Sequence, residues 1–381
     1  MAQSADSAPW APVYHRLLLD LRDDIGSGKR RPSERLPSEV ALANRYGISR
    51  SSVRQGLAAL ARDGLIERVT GRGTFVARPA QRSAAAPRRI TAVVNHLADP
   101  LSARILAGVS TVAARNGLDV VLGCTWNDPR MEEETLHRAQ ARGDDGVILF
   151  PTDVRLVREP VQALKAAGMP IVLVDRALPG LGLDLVRAAH QDGAASIVTH
   201  LLAKGHRDVA FLTTDHLSTP SVAERLQGYR QALAAAGLPF RWQRVWLVPH
   251  VEQPTDETEP DAPDQAAILA LLGEPDRPSA VFAVNDYLAA SLLTAAAEAL
   301  LSVPGDLTVA GFDGLQPFVA GRRLTTVRQP AEAIGARSVG LLLDRIAGRA
   351  PPTPVICSLP VELRPGETAG PFRARASSAH V

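Results

Sequence analysis

Apolar residues recur along this chain with a helical period first and in continuous strand-length runs later. Over 12–27, Val13, Leu17, Leu18, Leu21 and Ile25 keep helical spacing, and Gly28 stands just beyond as a stop. Ser38 can cap a second helix that carries Val40, Leu42 and Ala43 and runs to Tyr46, where Gly47 permits a left-handed exit. Ile48 restarts the pattern, Ser49 caps a third helix, and Val53, Leu57 and Leu60 follow at i, i+4 and i+7 until Gly64 ends it. Residues 65–69 and 74–76 then flank Gly71-Arg72-Gly73, a hairpin signal. Two short helices on a small turn, followed by such a wing, predict a helix-turn-helix layout.

From Ile90 the pattern changes. Strands at 90–94, 118–123, 146–150 and 170–175 alternate with helices at 102–116, 131–142 and 161–167. A second series places helices at 189–203, 222–236, 263–272 and 286–301 among strands at 209–213, 245–248, 280–284 and 307–312. Continuous apolar strands separated by amphipathic helices indicate parallel sheets covered on both faces. Two series predict two similar lobes with a cleft between them, and ligands of such sheets bind beyond the carboxyl ends of the strands. The fold class is therefore α/β, with a small N-terminal helix-turn-helix domain (12–77) and a two-lobed, doubly wound domain (90–365). Short-side-chained, basic residues at 78–89 read as a linker, and 1–11 and 366–381 as disordered ends.

Charge sharpens this division. The net of +2 hides 16 Lys+Arg against 8 Asp+Glu in residues 1–89, and 26 against 32 in the remainder. A basic small domain joined to an acidic large one points to a polyanion partner for the first alone. No apolar run reaches the roughly 18 residues of a membrane span, and the N-terminus lacks an apolar signal core, so a cytoplasmic protein is expected. Cys124 and Cys357 form no disulfide framework or metal-ligand spacing and read as small core residues.

Residues 12–77 closely resemble the winged-helix DNA-binding domain of the GntR family of transcription regulators. The resemblance rests on Leu36-Pro37-Ser38-Glu39, Ala43, Tyr46-Gly47-Ile48-Ser49-Arg50, Val53-Arg54, Gly64-Leu65-Ile66 and Gly71-Arg72-Gly73-Thr74-Phe75-Val76. It implies DNA contacts by Ser38, Ser49, Arg50, Ser52 and Arg54, with Gly71, Arg72 and Gly73 at the tip of the wing. An arginine near the start of a groove-lying helix can donate two bonds to guanine, while serine hydroxyls hold phosphate oxygens. Val40 departs from the family, which often carries Arg directly after the Leu-Pro-Ser-Glu run.

Residues 90–365 resemble the effector domain of the LacI family, itself similar to periplasmic sugar-binding proteins. The motifs are Val174-Asp175-Arg176, Gly205-His206-Arg207, Arg225-Leu226-Gln227-Gly228-Tyr229, Val284-Asn285-Asp286, Val303-Pro304-Gly305-Asp306-Leu307, Gly311-Phe312-Asp313-Gly314 and Thr325-Thr326-Val327-Arg328-Gln329-Pro330. The implied ligand contacts are Asp175, Arg176, Arg225, Asn285, Asp313 and Gln329. Carboxylates, amides and arginines converging on a cleft suit a polyhydroxyl ligand; an interlobe ion-pair network is the other use of the same residues. Asp99-Pro100-Leu101-Ser102 replaces the family's usual Asn-Pro-aromatic-aromatic, and the acidic span 249–263 carries no aromatic. The order of head and effector domain is arabinose-repressor-like.

These readings converge on a DNA-binding transcription regulator, a repressor, working as a homodimer on palindromic double-stranded operator DNA under control of a sugar or related polyol. No cofactor or metal is expected, and no membrane partner. A pyridoxal-phosphate enzyme fused to a GntR-type head is the competing class, but only Lys29, Lys165 and Lys204 are available for a Schiff base and none lies in a recognisable cofactor motif.

Overall fold

The computed structural model describes residues 14–26, 29–31, 33–62, 65–69, 73–77, 88–249, 265–315, 318–319 and 321–373. The head consists of α1 (His15–Gly26), α2 (Glu39–Tyr46), α3 (Arg50–Arg62) and the hairpin of β1 (Ile66–Val69) and β2 (Gly73–Val76). Ser38 caps α2 by accepting from the Ala41 N–H at 3.2 Å, and Gly47 closes it at φ 64°. Leu17 and Leu21 of α1, Leu42 of α2 and Val53, Leu57 and Leu60 of α3 meet in one buried cluster with Leu36, Ile66 and Val76. The Leu36 N–H donates to Thr74 O and the Val76 N–H to Glu34 O, each at 2.8 Å, tying the hairpin to the segment that enters α2.

The large domain opens with β3 (Arg88–Val94), α4 (Pro100–Arg115), β4 (Leu118–Cys124), α5 (Pro129–Arg142), β5 (Gly146–Leu149), α6 (Arg158–Ala166), β6 (Ile171–Val174) and β7 (Asp184–Ala188). The chain then crosses to a second lobe with α7 (His190–Ala203), β8 (Val209–Thr214), α8 (Pro220–Ala235), β9 (Val245–Val248), α9 (Gln265–Leu272), β10 (Ala280–Ala283), α10 (Asp286–Glu298) and β11 (Thr308–Ala310). Two short pieces, β12 (Phe318–Val319) and β13 (Arg322–Arg323), precede β14 (Thr326–Arg328). The chain now returns to the first lobe with α11 (Ala331–Ile346) and β15 (Ile356–Leu359), and ends its regular structure in β16 (Glu362–Arg364), antiparallel to β14.

Lobe one is a six-stranded sheet in the order β15-β7-β6-β5-β3-β4, and lobe two a four-stranded sheet in the order β11-β10-β8-β9, with every pairing parallel. Three crossings join the lobes, after β7, between β14 and α11, and after β15. The Ala189 N–H donates to Leu359 O at 2.9 Å, so two of these crossings are bonded to each other. In lobe one α11 packs on α4 at glycine contacts: a Cβ on Gly108 would stand 2.0 Å from Glu332 O, and one on Gly335 1.9 Å from Ile105 O.

Several expectations are corrected. Residues 366–373 are not a disordered tail but pack on lobe two: Thr368 and Ala369 are buried, Val309 N–H donates to Thr368 O at 2.9 Å, and Phe372 N–H to Lys204 O at 2.8 Å. The reason is that β11 has an open edge whose backbone groups this strap satisfies. The first strand of the large domain starts at Arg88, inside the span read as linker. Cys124 and Cys357 are free and only half-buried, because each lies on an edge strand of the lobe-one sheet. The tail 374–381, residues 78–87 of the linker and nearly all of the acidic span 249–263 lie outside the described residues.

Candidate functional site

On the head, α3 presents its first turn to solvent. Ser49 Oγ accepts from the Ser52 N–H at 3.1 Å and lies 2.7 and 2.9 Å from the hydroxyls of Ser51 and Ser52. Arg50 and Arg54 are exposed one helical turn apart. Arg54 Nη2 donates to Glu39 Oε2 at 3.3 Å, and Arg68 of the hairpin approaches the other oxygen of Glu39 at 3.8 Å. Ser38 and Gly73 are also exposed, Gly73 at φ 120°. Gly71 and Arg72 lie outside the described residues. Val40 is an exposed apolar side chain beside Glu39.

The cleft is built from strand ends. Asp175 follows β6 at φ 64°, and Asp313 follows β11 at φ 116°. Both are non-glycine residues in a left-handed backbone, a strained state that survives only where surrounding contacts enforce it. For Asp313 those contacts are its N–H to Val327 O at 2.8 Å and its own carbonyl accepting from the Gln329 N–H at 3.2 Å.

Arg225 reaches in from α8, almost wholly buried. Its Nη1 donates to Val284 O at 2.6 Å, its Nη2 lies 3.1 Å from Asp313 Oδ1, and its guanidinium sits 4.0 Å above the Phe312 ring. Gln329 Nε2 donates to the same Asp313 oxygen at 2.6 Å. Across the crossing, Asp175 Oδ1 lies 3.0 Å from His190 Nε2, and Arg225 Nη2 points at His190 Nδ1 over 3.4 Å. Arg176 stands 3.8 Å from Asp175, bonds the carbonyls of Pro151 and Thr152 at 2.9 Å each, and covers the Phe150 ring. Asn285 differs from the rest. Its side-chain oxygen accepts from the Leu288 N–H at 2.8 Å and caps α10, so that oxygen serves the helix.

Environment drives the two cleft carboxylates apart. Burial alone would raise Asp175, but the adjacent His190 ring and the guanidiniums of Arg176 and Arg225 outweigh it and hold the carboxyl well below the usual range. Asp313 is raised, by burial first and by the neighbouring Asp286 carboxylate, against the opposing pull of Arg225 and Gln329. Asp286 itself accepts from Thr326 Oγ1 at 2.5 Å and from the Leu315 N–H at 2.7 Å. Within this network Asp175 Oδ1, His190 Nε2, Arg176 Nε, Arg225 Nε and Gln329 Oε1 are buried without an aligned hydrogen-bond partner. Buried donors and acceptors left in this state are costly, and a group of them in one place is a binding surface in waiting.

Comparison with known proteins agrees with both halves. Residues 13–76 match the model for "Bacterial regulatory proteins, gntR family", and residues 198–369 match "Periplasmic binding protein-like domain". A LacI-family structure from Sanguibacter keddieii is 30% identical, covering 75% of this chain and 99% of that one with a TM-score of 0.61. The chain is a LacI-type regulator with a GntR-type head. The arabinose metabolism transcriptional repressor of Geobacillus stearothermophilus is 27% identical over 89% of this chain and 92% of its own length. A transcription regulator GntR from Chromobacterium violaceum is 28% identical, with a TM-score of 0.60 over 74% of this chain and 99% of that one.

In this LacI-type regulator five of the six expected cleft residues meet: Asp175, Arg176, Arg225, Asp313 and Gln329. Reading the sequence missed His190. Its one signal was a lone histidine opening a helix directly behind what is now β7, which carries no chemistry until Asp175 and Arg225 are brought to it. Glu132 was missed too. Fully buried, it takes the Thr152 N–H at 3.2 Å on both oxygens, and burial pushes its carboxyl up to about 7. Among the described residues no helix is long and apolar enough to cross a membrane.

Proposed function

We propose that this regulator is a cytoplasmic repressor that binds a palindromic operator as a homodimer and changes its affinity for DNA when a sugar or related polyol occupies the interlobe cleft. The observation that carries the ligand reading is the set of buried polar atoms on Asp175, Arg176, His190, Arg225 and Gln329 that lack an aligned hydrogen bond. A sugar hydroxyl both donates and accepts, so it can satisfy carboxylate and amide oxygens with one face and guanidinium N–H groups with the other. The relative named for arabinose metabolism supports the same chemical class. Asn285 enters this reading through its backbone neighbour Val284, which holds Arg225 in place.

On the head, Arg50 and Arg54 read base edges in the major groove. Ser38, Ser49 and Ser52 hold phosphates, and the wing tip of Gly71, Arg72 and Gly73 reaches the minor groove or its phosphates. A dimer sets two such heads one DNA turn apart. Ligand-driven closure of the lobes needs a coupling of only about 1–3 kcal/mol to change operator affinity ~5–150-fold. The chain acts by binding rather than by catalysis. Lys165, one of its three lysines, has its ammonium held by the carbonyls of Leu181 and Gly182.

The test is a thermal-shift screen of the full chain against pentoses, hexoses and polyols, followed by gel shifts on its own promoter. A sugar at 100 times its Kd adds about 2.7 kcal/mol of apparent stability. Failure to bind any promoter fragment would remove the regulator reading, and a screen without a binder would remove the sugar.

A further inference from the structure

His190 is fully buried at the start of α7, immediately after the first crossing between the lobes. Arg225 of lobe two directs its Nη2 N–H at Nδ1 of this ring over 3.4 Å. A guanidinium can only donate, so Nδ1 is the acceptor and a neutral ring must carry its proton on Nε2. That Nε2 stands 3.0 Å from Asp175 Oδ1 of lobe one, yet neither atom has an aligned hydrogen bond. The result is a buried donor and a buried acceptor side by side, one supplied from each lobe.

We propose that His190 is a specificity-determining residue of the cleft, which as the neutral Nε2–H tautomer binds one ligand hydroxyl together with Asp175. This rests on the sugar reading of the cleft. The hydroxyl accepts from Nε2 and donates to Asp175 Oδ1, so a single group of the ligand ties lobe two to lobe one. Arg225 sets the tautomer, and Phe312, 6.0 Å from the ring centroid, backs the imidazole on its other side. The charged groups around the ring are Asp175 and Arg176 from the end of β6, Arg225 from α8, and Asp313 beyond Arg225. A second proton on the ring would bring Nδ1–H against Arg225 Nη2, donor against donor and like charge against like.

Two measurements test this on the full-length protein. Nitrogen-15 spectra of histidine-labelled wild type, with His190 assigned by its loss in His190→Gln, are expected to show the Nε2–H form at pH 7.5; the Nδ1–H form or an imidazolium at that pH overturns the proposal without any ligand. Calorimetry with L-arabinose, D-ribose, D-xylose and D-galactose then compares wild type, His190→Gln and His190→Asn. Glutamine puts an amide near the Nε2 position, whereas asparagine keeps only the acceptor for Arg225. His190→Asn is expected to weaken binding about 10- to 100-fold. His190→Gln should keep most of the affinity. Equal affinities in all three proteins overturn the role of His190 alone. A wild type that binds none of the four sugars instead removes the sugar reading, and His190's part in it falls with it.

Discussion

Arg225 Nη2 stands 3.1 Å from Asp313 Oδ1, with both side chains almost wholly buried. Breaking a buried pair from one side leaves the other charge uncompensated, typically at about 3–5 kcal/mol. Asp313→Asn keeps the volume and the bond from Gln329 but removes the charge facing Arg225. The expected outcome is loss of the sugar response in a gel shift, with operator affinity in the absence of sugar unchanged. A normal response would take Asp313 out of the ligand site.

Arg50 opens α3 and is exposed. Arg50→Ala is expected to cost about 1–3 kcal/mol in operator binding and to relax the preference at one base pair. Effector binding should not change. Measuring Kd on the operator and on single-base variants checks it, and a uniform loss across all sequences would assign Arg50 to the phosphates.

Glu39 accepts from Arg54 at 3.3 Å, and Arg54 is exposed. Such a pair adds little stability, about 0–1 kcal/mol, but it fixes where a DNA-facing guanidinium points. Glu39→Gln should leave Tm nearly unchanged and raise affinity for random-sequence duplex, with a steeper salt dependence. Identical salt slopes in variant and wild type would show that Arg54 is not restrained by this carboxylate.

Gly335→Ala places a Cβ 1.9 Å from Ile105 O, where α11 meets α4 backbone to backbone. Overpacking of this kind costs about 1–3 kcal/mol or more. Gly340, on the same helix, has nothing within 4 Å of its added Cβ. Gly340→Ala should therefore stabilise by about 0.5–1 kcal/mol. Thermal unfolding of the two variants is expected to move in opposite directions, and parallel shifts would contradict the close approach.

Glu132 is pushed up to about 7 by burial, from an ordinary value of 4.5. The folded state therefore holds a proton that the unfolded chain releases between pH 4.5 and 7. Its contribution is present below the unfolded value and is lost as pH rises through the folded one. Glu132→Gln should gain about 1–3 kcal/mol over wild type at pH 8 and little at pH 4. Urea midpoints at the two pH values measure this; an equal difference at both would mean that Glu132 is ionised throughout.

The head was legible because its evidence is local. Ser38, Gly47 and Ser49 act on their own or adjacent turns, and Ser49 to Arg54 lie on one helix whichever way the domain packs. The strands and helices of the large domain up to β11 were legible for the same reason, apart from β7: a continuous apolar run and a 3.6-residue period are properties of neighbours. The stretch after β11 was not. No helix is predicted over α11, and nothing within it says that it returns to lobe one to pack on α4. The strap at 366–373 looks polar and breakable, and becomes structure only because β11 offers it an unpaired edge.

What the sequence alone determined, then, was the inventory: a basic winged head, two αβ series, and five of the side chains that meet in the cleft. The tertiary structure decided their partners. Asp175 and His190 sit on opposite sides of a crossing, and Arg225, Asp313 and Gln329 come from separate elements of the chain. Side chains distant in sequence acquire a shared charge state and a shared geometry only when three crossings hold the lobes together. That is why Asn285, apt in type and position, became a helix cap, while His190 became the residue that joins the two halves of the site.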